Sequence, residues 1–137
     1  MDPITPEEYF QDSPLGLAVH REVHHLLVTN WPDVAVRTTK SQVAFRRERA
    51  FAFLWRPRQY LRSASADVVL SLALSRRLES VRFKQVVQPS RGTWMHHLEI
   101  GAVEDVDQQV EEWLDAAAAA AGPRLGPPTP DAWGSCD

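Results

Sequence analysis

Cysteine, glycine and long apolar runs are scarce in this 137-residue chain, and each scarcity removes a class of protein. The single cysteine, Cys136, cannot form a disulfide framework or a cysteine zinc site within one chain, which suits a reducing compartment. The six glycines form no GxSxG, Walker or GxGxxG motif. The best apolar run, Asp67 to Leu74, is far shorter than the roughly twenty residues of a membrane helix. Because the N-terminus also lacks the pattern of a secretory signal, we expect a cytoplasmic protein.

Acidic residues are scarce in the middle of the chain, although the net charge of the whole is only -3. The segment from Arg37 to Arg91 holds thirteen of the fifteen Lys and Arg and only three acids, a net charge of +10. The rest of the chain has two basic residues against fifteen acids, a net charge of -13. The small total charge argues against a general nucleic-acid binder, but the separation of charge along the chain suggests a basic surface.

Two segments have the 3.6-residue apolar period of amphipathic helices, one near each end of the chain. Ser13 followed by proline is a favourable helix start, so the first helix is predicted to begin there and to end near Asn30. The second helix follows Gly101, and Gly122 followed by proline predicts its end.

Between Val34 and Ile100 the apolar period is two, which is typical of strands with one buried face. Short polar links between the apolar stretches predict antiparallel hairpins and about six strands. An unbroken alternation puts Phe45, Phe53 and Trp55 on the buried face. The opposite, solvent-facing side is predicted to carry Arg37, Gln42, Ala44, Arg46, Ala52, Leu54, Arg56, Ser71 and Ala73.

The order of elements predicts an α+β fold. We expect a two-layer sandwich, in which an antiparallel sheet of about six strands is covered on one face by the N-terminal and C-terminal helices. This domain is placed at residues 13–121, after an N-terminal arm at residues 1–12. Residues 122–137 are rich in Pro and Gly and are predicted to be a flexible tail.

Three motifs carry a resemblance to a known family. The segments TKSQVAFRR (residues 39–47), FAFLWRP (residues 51–57) and WMHHLE (residues 94–99) resemble an uncharacterised bacterial family of small domains. The resemblance covers about Pro6 to Ala121 and implies a shared fold without an activity. The order of elements is also similar to that of frataxin-like domains, which bind iron through acidic side chains, and this likeness implies a metal-handling alternative.

The basic strand segment supplies the candidate ligand-binding residues, which are Arg37, Lys40, Arg46 and Arg56. The planar fork of arginine binds phosphate or carboxylate through two hydrogen bonds. We therefore expect a non-enzymatic binding module for an acidic protein segment or a small anionic ligand, with no cofactor. Nucleic acid is less favoured, because the aromatic side chains are predicted to be buried. A solvated basic face that only blocks edge-to-edge pairing is the plain alternative.

Five histidines form the other cluster of interest, and they allow a metal site. His20 and His24 share a helix face at i and i+4, and His96 on a late strand could join them as a third ligand. No HExxH pattern surrounds them, so a core histidine bonded to a carbonyl is the ordinary interpretation. No catalytic residue is predicted, and a small hydrolase with an unrecognised site stays as a further alternative.

Overall fold

Three helices and six strands occupy most of the residues that the computed structural model describes, which are 4–59 and 66–122. The helices are α1 (Pro6–Tyr9), α2 (Pro14–Asn30) and α3 (Gln108–Ala121). The strands are β1 (Ala35–Thr38), β2 (Val43–Arg46), β3 (Ala50–Trp55), β4 (Val68–Leu74), β5 (Phe83–Ser90) and β6 (Thr93–Ile100).

Capping residues fix the ends of the two long helices. The sequence predicted both ends of α2 and the end of α3, whereas α3 starts later than the predicted start after Gly101. Ser13 Oγ accepts a hydrogen bond from the Gly16 backbone N–H at 2.9 Å, so α2 begins at the following proline. Asp107 accepts from the Val110 backbone N–H at 3.1 Å and starts α3 in the same way. Gly122 is the C-cap of α3.

The six strands form one sheet in the order β1-β2-β3-β4-β6-β5, and every neighbouring pair is antiparallel. Among the described strands, chain order is broken only where β6 lies beside β4, while its hairpin partner β5 forms the edge. With α2 and α3 packed against it, this sheet gives the α+β arrangement that the sequence predicted.

A bulge in β3 reverses the predicted orientation of that strand. Arg46 pairs with Ala50 and Phe45 pairs with Ala52, which leaves Phe51 as an extra residue. Phe51 and Ala52 are both buried, at 1% and 0% exposure. The extra residue shifts the alternation by one position, so every side chain beyond it faces the side opposite to the predicted one.

The consequence is a correction to the predicted faces of β3. Ala52 and Leu54, expected on the solvent side, are fully buried beneath the helices. Phe53 and Trp55, expected in the core, are only half-buried, and Phe53 pairs with Ser71 on the other side of the sheet. The prediction for Phe45 on β2, which precedes the bulge, is confirmed.

The core lies between the sheet and the two long helices. Residues of α2 and α3 meet the inward side chains of the central strands, and nearly all are fully buried. The main contributors are Val19, Val23, Leu27, Val110, Leu114, Phe45, Leu54, Leu70, Leu72, Leu98 and Ile100.

The segment predicted as an N-terminal arm contributes to this core from residue 4 onward. Tyr9 and Phe10 are 8% and 1% exposed, and Ile4 packs against the same cluster. Apart from Gly122, the predicted tail lies outside the described residues. Within residues 4–59 and 66–122, no helix has both the length and the apolar character needed to cross a membrane.

Candidate functional site

Two of the four candidate ligand residues lie together on the side of the sheet opposite the helices. Val36 pairs with Phe45 on the helix-covered side, so their neighbours Arg37 and Arg46 point the other way. Both arginines are exposed. We call this side the open face, and its central members are Arg37, Gln42, Ala44, Arg46, Phe53, Trp55, Ser71, Met95 and His97.

Arg56 is not part of this group. Its Nη2 donates to Asp67 at 3.2 Å, and Asp67 also accepts a hydrogen bond from the hydroxyl of Ser13, the N-cap of α2. The Arg56 side chain is 18% exposed, and its buried Nε has no hydrogen-bond partner among the described residues. Arg56 therefore connects the end of β3 to the start of α2, and the predicted gathering of Arg56 with Arg37 and Arg46 is not found.

Lys40 lies in the turn between β1 and β2, away from the centre of the open face. Its side chain is exposed, and its backbone carbonyl accepts from Gln59 Nε2 at 2.9 Å. Together with Arg37 it lines a cleft that extends under α1 and α2.

Other arginines of the basic segment are bound to α3. Arg47 Nη1 donates to the Ala118 carbonyl at 2.7 Å, and Arg47 Nε pairs with Asp33 at 3.0 Å. Arg49 donates to the carbonyl of Ala120. These contacts satisfy the free carbonyls at the helix end and place positive charge at the negative end of its dipole.

Aromatic side chains line a shallow depression in the centre of the open face. Phe53, Trp55 and Met95 are half-buried around it, with Gln42 at one side. Its volume is about 180 Å³. Arg37, Ala44 and Phe53 follow one another across three neighbouring strands, so the Arg37 and Phe53 backbones lie roughly 10 Å apart, about twice the strand spacing. A guanidinium on Arg37 can reach the edge of the depression.

Three side chains form a hydrogen-bonded chain at the base of the depression. Trp55 Nε1 donates to Ser71 Oγ at 2.8 Å, and Ser71 Oγ lies 2.6 Å from His97 Nδ1. Burial lowers the pKa of His97, which favours the neutral ring. Because indole N–H is only a donor, the serine hydroxyl accepts from Trp55 and can donate to His97 Nδ1. The remaining ring proton of His97 then lies on Nε2.

The sequence analysis missed this chain, because its members are distant in the sequence. Ser71 and His97 become neighbours only through the pairing of β4 with β6, in which they are direct partners. The hydrogen bond has the form of a nucleophile and base pair, but Ser71 is only 3% exposed. Its hydroxyl borders the depression, which offers a reagent a route to it.

The candidate metal ligands lie in two separate places. His20 and His24 stack on each other with ring centroids 5.7 Å apart, and His20 also stacks on Phe45. His96 is buried elsewhere, accepts from the Leu78 backbone N–H at 3.0 Å and contacts the carbonyl of Trp94 at 3.1 Å. The predicted joining of His96 to the helical pair is not found. In the described part of the chain, no three His, Cys, Asp or Glu side chains gather closely enough to hold a metal.

Comparison with known proteins places the chain in a family. Searches of curated proteins and of solved structures found no match. A family model matches residues 7–119, nearly the whole of the described domain. The chain therefore belongs to the family described as Domain of unknown function (DUF5655).

Proposed function

We propose that the protein is a binding module whose open face takes a small anionic ligand that carries a planar ring. The observation that supports this proposal is the presence of Arg37 and Arg46 on the same face as the aromatic depression. The arginines would bind the anionic group, and the depression would hold the ring. An acidic protein segment is the other partner that this charge pattern suits.

The electrostatic part of the proposal rests on the partners of the two arginines. No ion pair joins either of them to a carboxylate within the described residues, whereas Arg47, Arg56 and Arg82 each have one. Arg46 Nη2 donates to the Glu48 carbonyl at 3.1 Å, which still leaves most of its donors available. A guanidinium bound to phosphate or carboxylate gains a charge-assisted hydrogen bond, which contributes about 1.5–3 kcal/mol.

The ring-binding part rests on the size and lining of the depression. About 180 Å³ is enough for one or two fused planar rings, and Phe53 and Trp55 offer apolar surface against which a ring can pack. The Nε2–H of His97 can donate a hydrogen bond to a heteroatom of the ring. The bulge in β3 is what puts these two aromatic residues within reach of a ligand, and the sequence-based argument against stacking does not apply to them.

The total charge favours a small anion over a nucleic-acid chain. Long polyanions bind through many cationic contacts. The open face offers two central arginines, and the net charge of the protein is -3. A mononucleotide or an aryl phosphate combines a planar ring system with one anionic group. Such a ligand matches the distance of roughly 10 Å between Arg37 on β1 and Phe53 on β3.

Titration with AMP, followed by NMR of the labelled protein, tests the proposal. We expect AMP to shift the Trp55 indole signal and the amides of β3 and β6, while adenosine, which lacks the phosphate, binds at least tenfold more weakly. The variant R37E/R46E should weaken AMP binding by at least about a hundredfold, from about 1.5 kcal/mol or more per arginine. R21E, a charge reversal on the exposed side of α2, should leave it unchanged. Equal binding by both variants, or no shift at β3 and β6, would contradict the proposal.

A small hydrolase is the second candidate, and the Ser71–His97 contact of 2.6 Å is the observation that favours it. A neutral histidine beside a serine hydroxyl can take its proton during attack on an ester. Incubation with a fluorophosphonate followed by peptide mass spectrometry would test it. Modification of Ser71 that is lost in H97Q, with exposed Ser75 unmodified, is the expected result. An unmodified Ser71 removes this candidate.

A further inference from the structure

A cleft of about 910 Å³ opens on the helix side of the sheet, between α1, the first half of α2 and the edge strand β1. Ile4, Pro6 and Val36 supply apolar walls, and His20 and Lys40 are among its polar members. The volume lies within the range of small-molecule binding sites. The cleft is separated from the aromatic depression by the sheet itself.

The cleft exists because the helix layer does not fully cover β1. Val36 and Thr38 face the helices and pair with Phe45 and Val43. Those two partners on β2 are 0% exposed, whereas Val36 and Thr38 are only half-buried. The inward side of the edge strand is therefore only partly covered by the described chain, and burying the remaining apolar surface gains about 25 cal/mol per Å².

His20 is the most buried polar residue of the cleft, at 5% exposure. Desolvation by burial, together with the neighbouring His24, lowers its pKa to about 4, so the ring is neutral near pH 7. Its Nδ1 is buried without a hydrogen-bond partner among the described residues. An unpaired buried N–H is less well tolerated than an unpaired acceptor, so we assign the proton to Nε2. His20 is thus a hydrogen-bond donor without a net charge.

The charged residues of the cleft are unbalanced in favour of cations. Lys40 lines it, and so does Arg37, which lies on the edge strand and directs its side chain to the open face. Among the described lining residues the single acid is Glu7. Lys40 is exposed at the β1–β2 turn, where its ammonium can reach the opening while its methylene stem packs on apolar surface. The cleft therefore combines an apolar interior, an uncharged donor and a positively charged end.

We propose that this cleft is a second binding site, which takes a small carboxylic acid with an apolar body. The hydrocarbon part packs against Ile4, Pro6 and Val36, and the carboxylate lies near Lys40. Both the apolar walls and the excess of cations are needed by such a ligand, and neither alone selects it. The cleft lies across the sheet from the aromatic depression, and Arg37 on the edge strand is the residue that the two proposals share.

Octanoate is the probe, and NMR of methyl-labelled protein is the measurement. We expect saturable shifts of the Ile4 and Val36 methyl signals and of the His20 ring protons. Octanol, which has the same chain without the charge, should bind at least tenfold more weakly. The variant K40E should weaken octanoate binding at least tenfold, since it removes a charge-assisted contact and adds a repulsive one. K84E, a matched reversal on the far edge strand β5, should bind octanoate as the parent does.

A second variant tests the location independently of charge. V36F narrows the cleft from a side chain that already faces it, and should weaken octanoate binding at least tenfold while circular dichroism shows an intact fold. R46E, on the open face, should retain octanoate binding, so failure of the open-face proposal is distinguishable from failure of this one. Undiminished octanoate binding by V36F, or equal affinities for octanoate and octanol, would overturn the proposal.

Discussion

Acid should destabilise this protein between pH 6.5 and about pH 4, because its buried histidines stay neutral in the folded state. Desolvation by burial is the largest cause of a lowered pKa for His20, His96 and His97. In each case the unfolded chain takes up its proton first, near pH 6.5, and protonation therefore favours unfolding. The stability due to neutral rings is fully present above pH 6.5 and is lost as the pH falls towards the folded-state pKa.

His20 allows the magnitude to be calculated, since its pKa falls from 6.5 to about 4. One pKa unit corresponds to about 1.4 kcal/mol, so the linkage relation gives a loss of about 2 kcal/mol between pH 7.5 and pH 5 from this residue alone. His96 and His97 add losses of the same sign. The lowered pKa of Asp107, caused first by its hydrogen bond with Arg82, acts below this window, where that carboxylate begins to be protonated.

Urea unfolding at pH 7.5, 6.0 and 5.0 measures this loss, and H20Q isolates the share of His20. Glutamine does not titrate, so H20Q should lose about 2 kcal/mol less than the parent between pH 7.5 and pH 5. H25Q removes a histidine whose ring is exposed on the same helix, and serves as the matched control. If the parent and H20Q lose stability in parallel as the pH falls, the assignment of His20 as a buried neutral ring is wrong.

Two further predictions concern packing and are measured by the same unfolding assay. A Cβ at Gly122 would overlap the guanidinium of Arg47, which Asp33 and a helix carbonyl hold in place, so G122A should cost about 1–3 kcal/mol. G101A meets only an ordinary contact at 3.5 Å and should be within about 0.5 kcal/mol of the parent. L54A should cost about 2–5 kcal/mol and F53A roughly 1 kcal/mol, because the bulge buries Leu54 and leaves Phe53 on the open face. The reverse order of these two costs would mean that β3 has no bulge.

Local signals in the sequence predicted the two long helices and most of the strands, but not the short α1, which lies in the predicted N-terminal arm. A capping serine or aspartate fixes a helix start through one hydrogen bond to a residue three positions on, which makes the start of α2 visible without any tertiary information. The face of β3 could not be predicted in this way. One extra residue, Phe51, reverses the alternation, and no glycine or proline marks the position.

The sequence predicted only the part of the candidate site that follows from the pairing of two strands in a hairpin. Arg37 and Arg46 share a face because β1 and β2 are joined by a short turn and pair without a shift at these positions. The Ser71–His97 contact requires β6 to insert between β4 and β5, a topological choice that the alternation of side chains does not reveal. Arg56 was misplaced for the same reason as Leu54, since both follow the bulge.

The separation of charge along the chain is explained in part by the two layers. Basic strands and their hairpins lie against an acidic helix, and Arg47 and Arg82 bind opposite ends of α3, Arg82 through Asp107 at 3.0 Å. Part of the net charge of +10 in this segment therefore stabilises the fold through contacts with α3, whether or not the protein binds a ligand. What the internal pairing does not account for is the position of Arg37 and Arg46, which point away from the helices and towards an aromatic depression. A basic face that served only to block edge pairing would have no use for that depression, and this is why a ligand with both a charge and a ring is the sharper hypothesis.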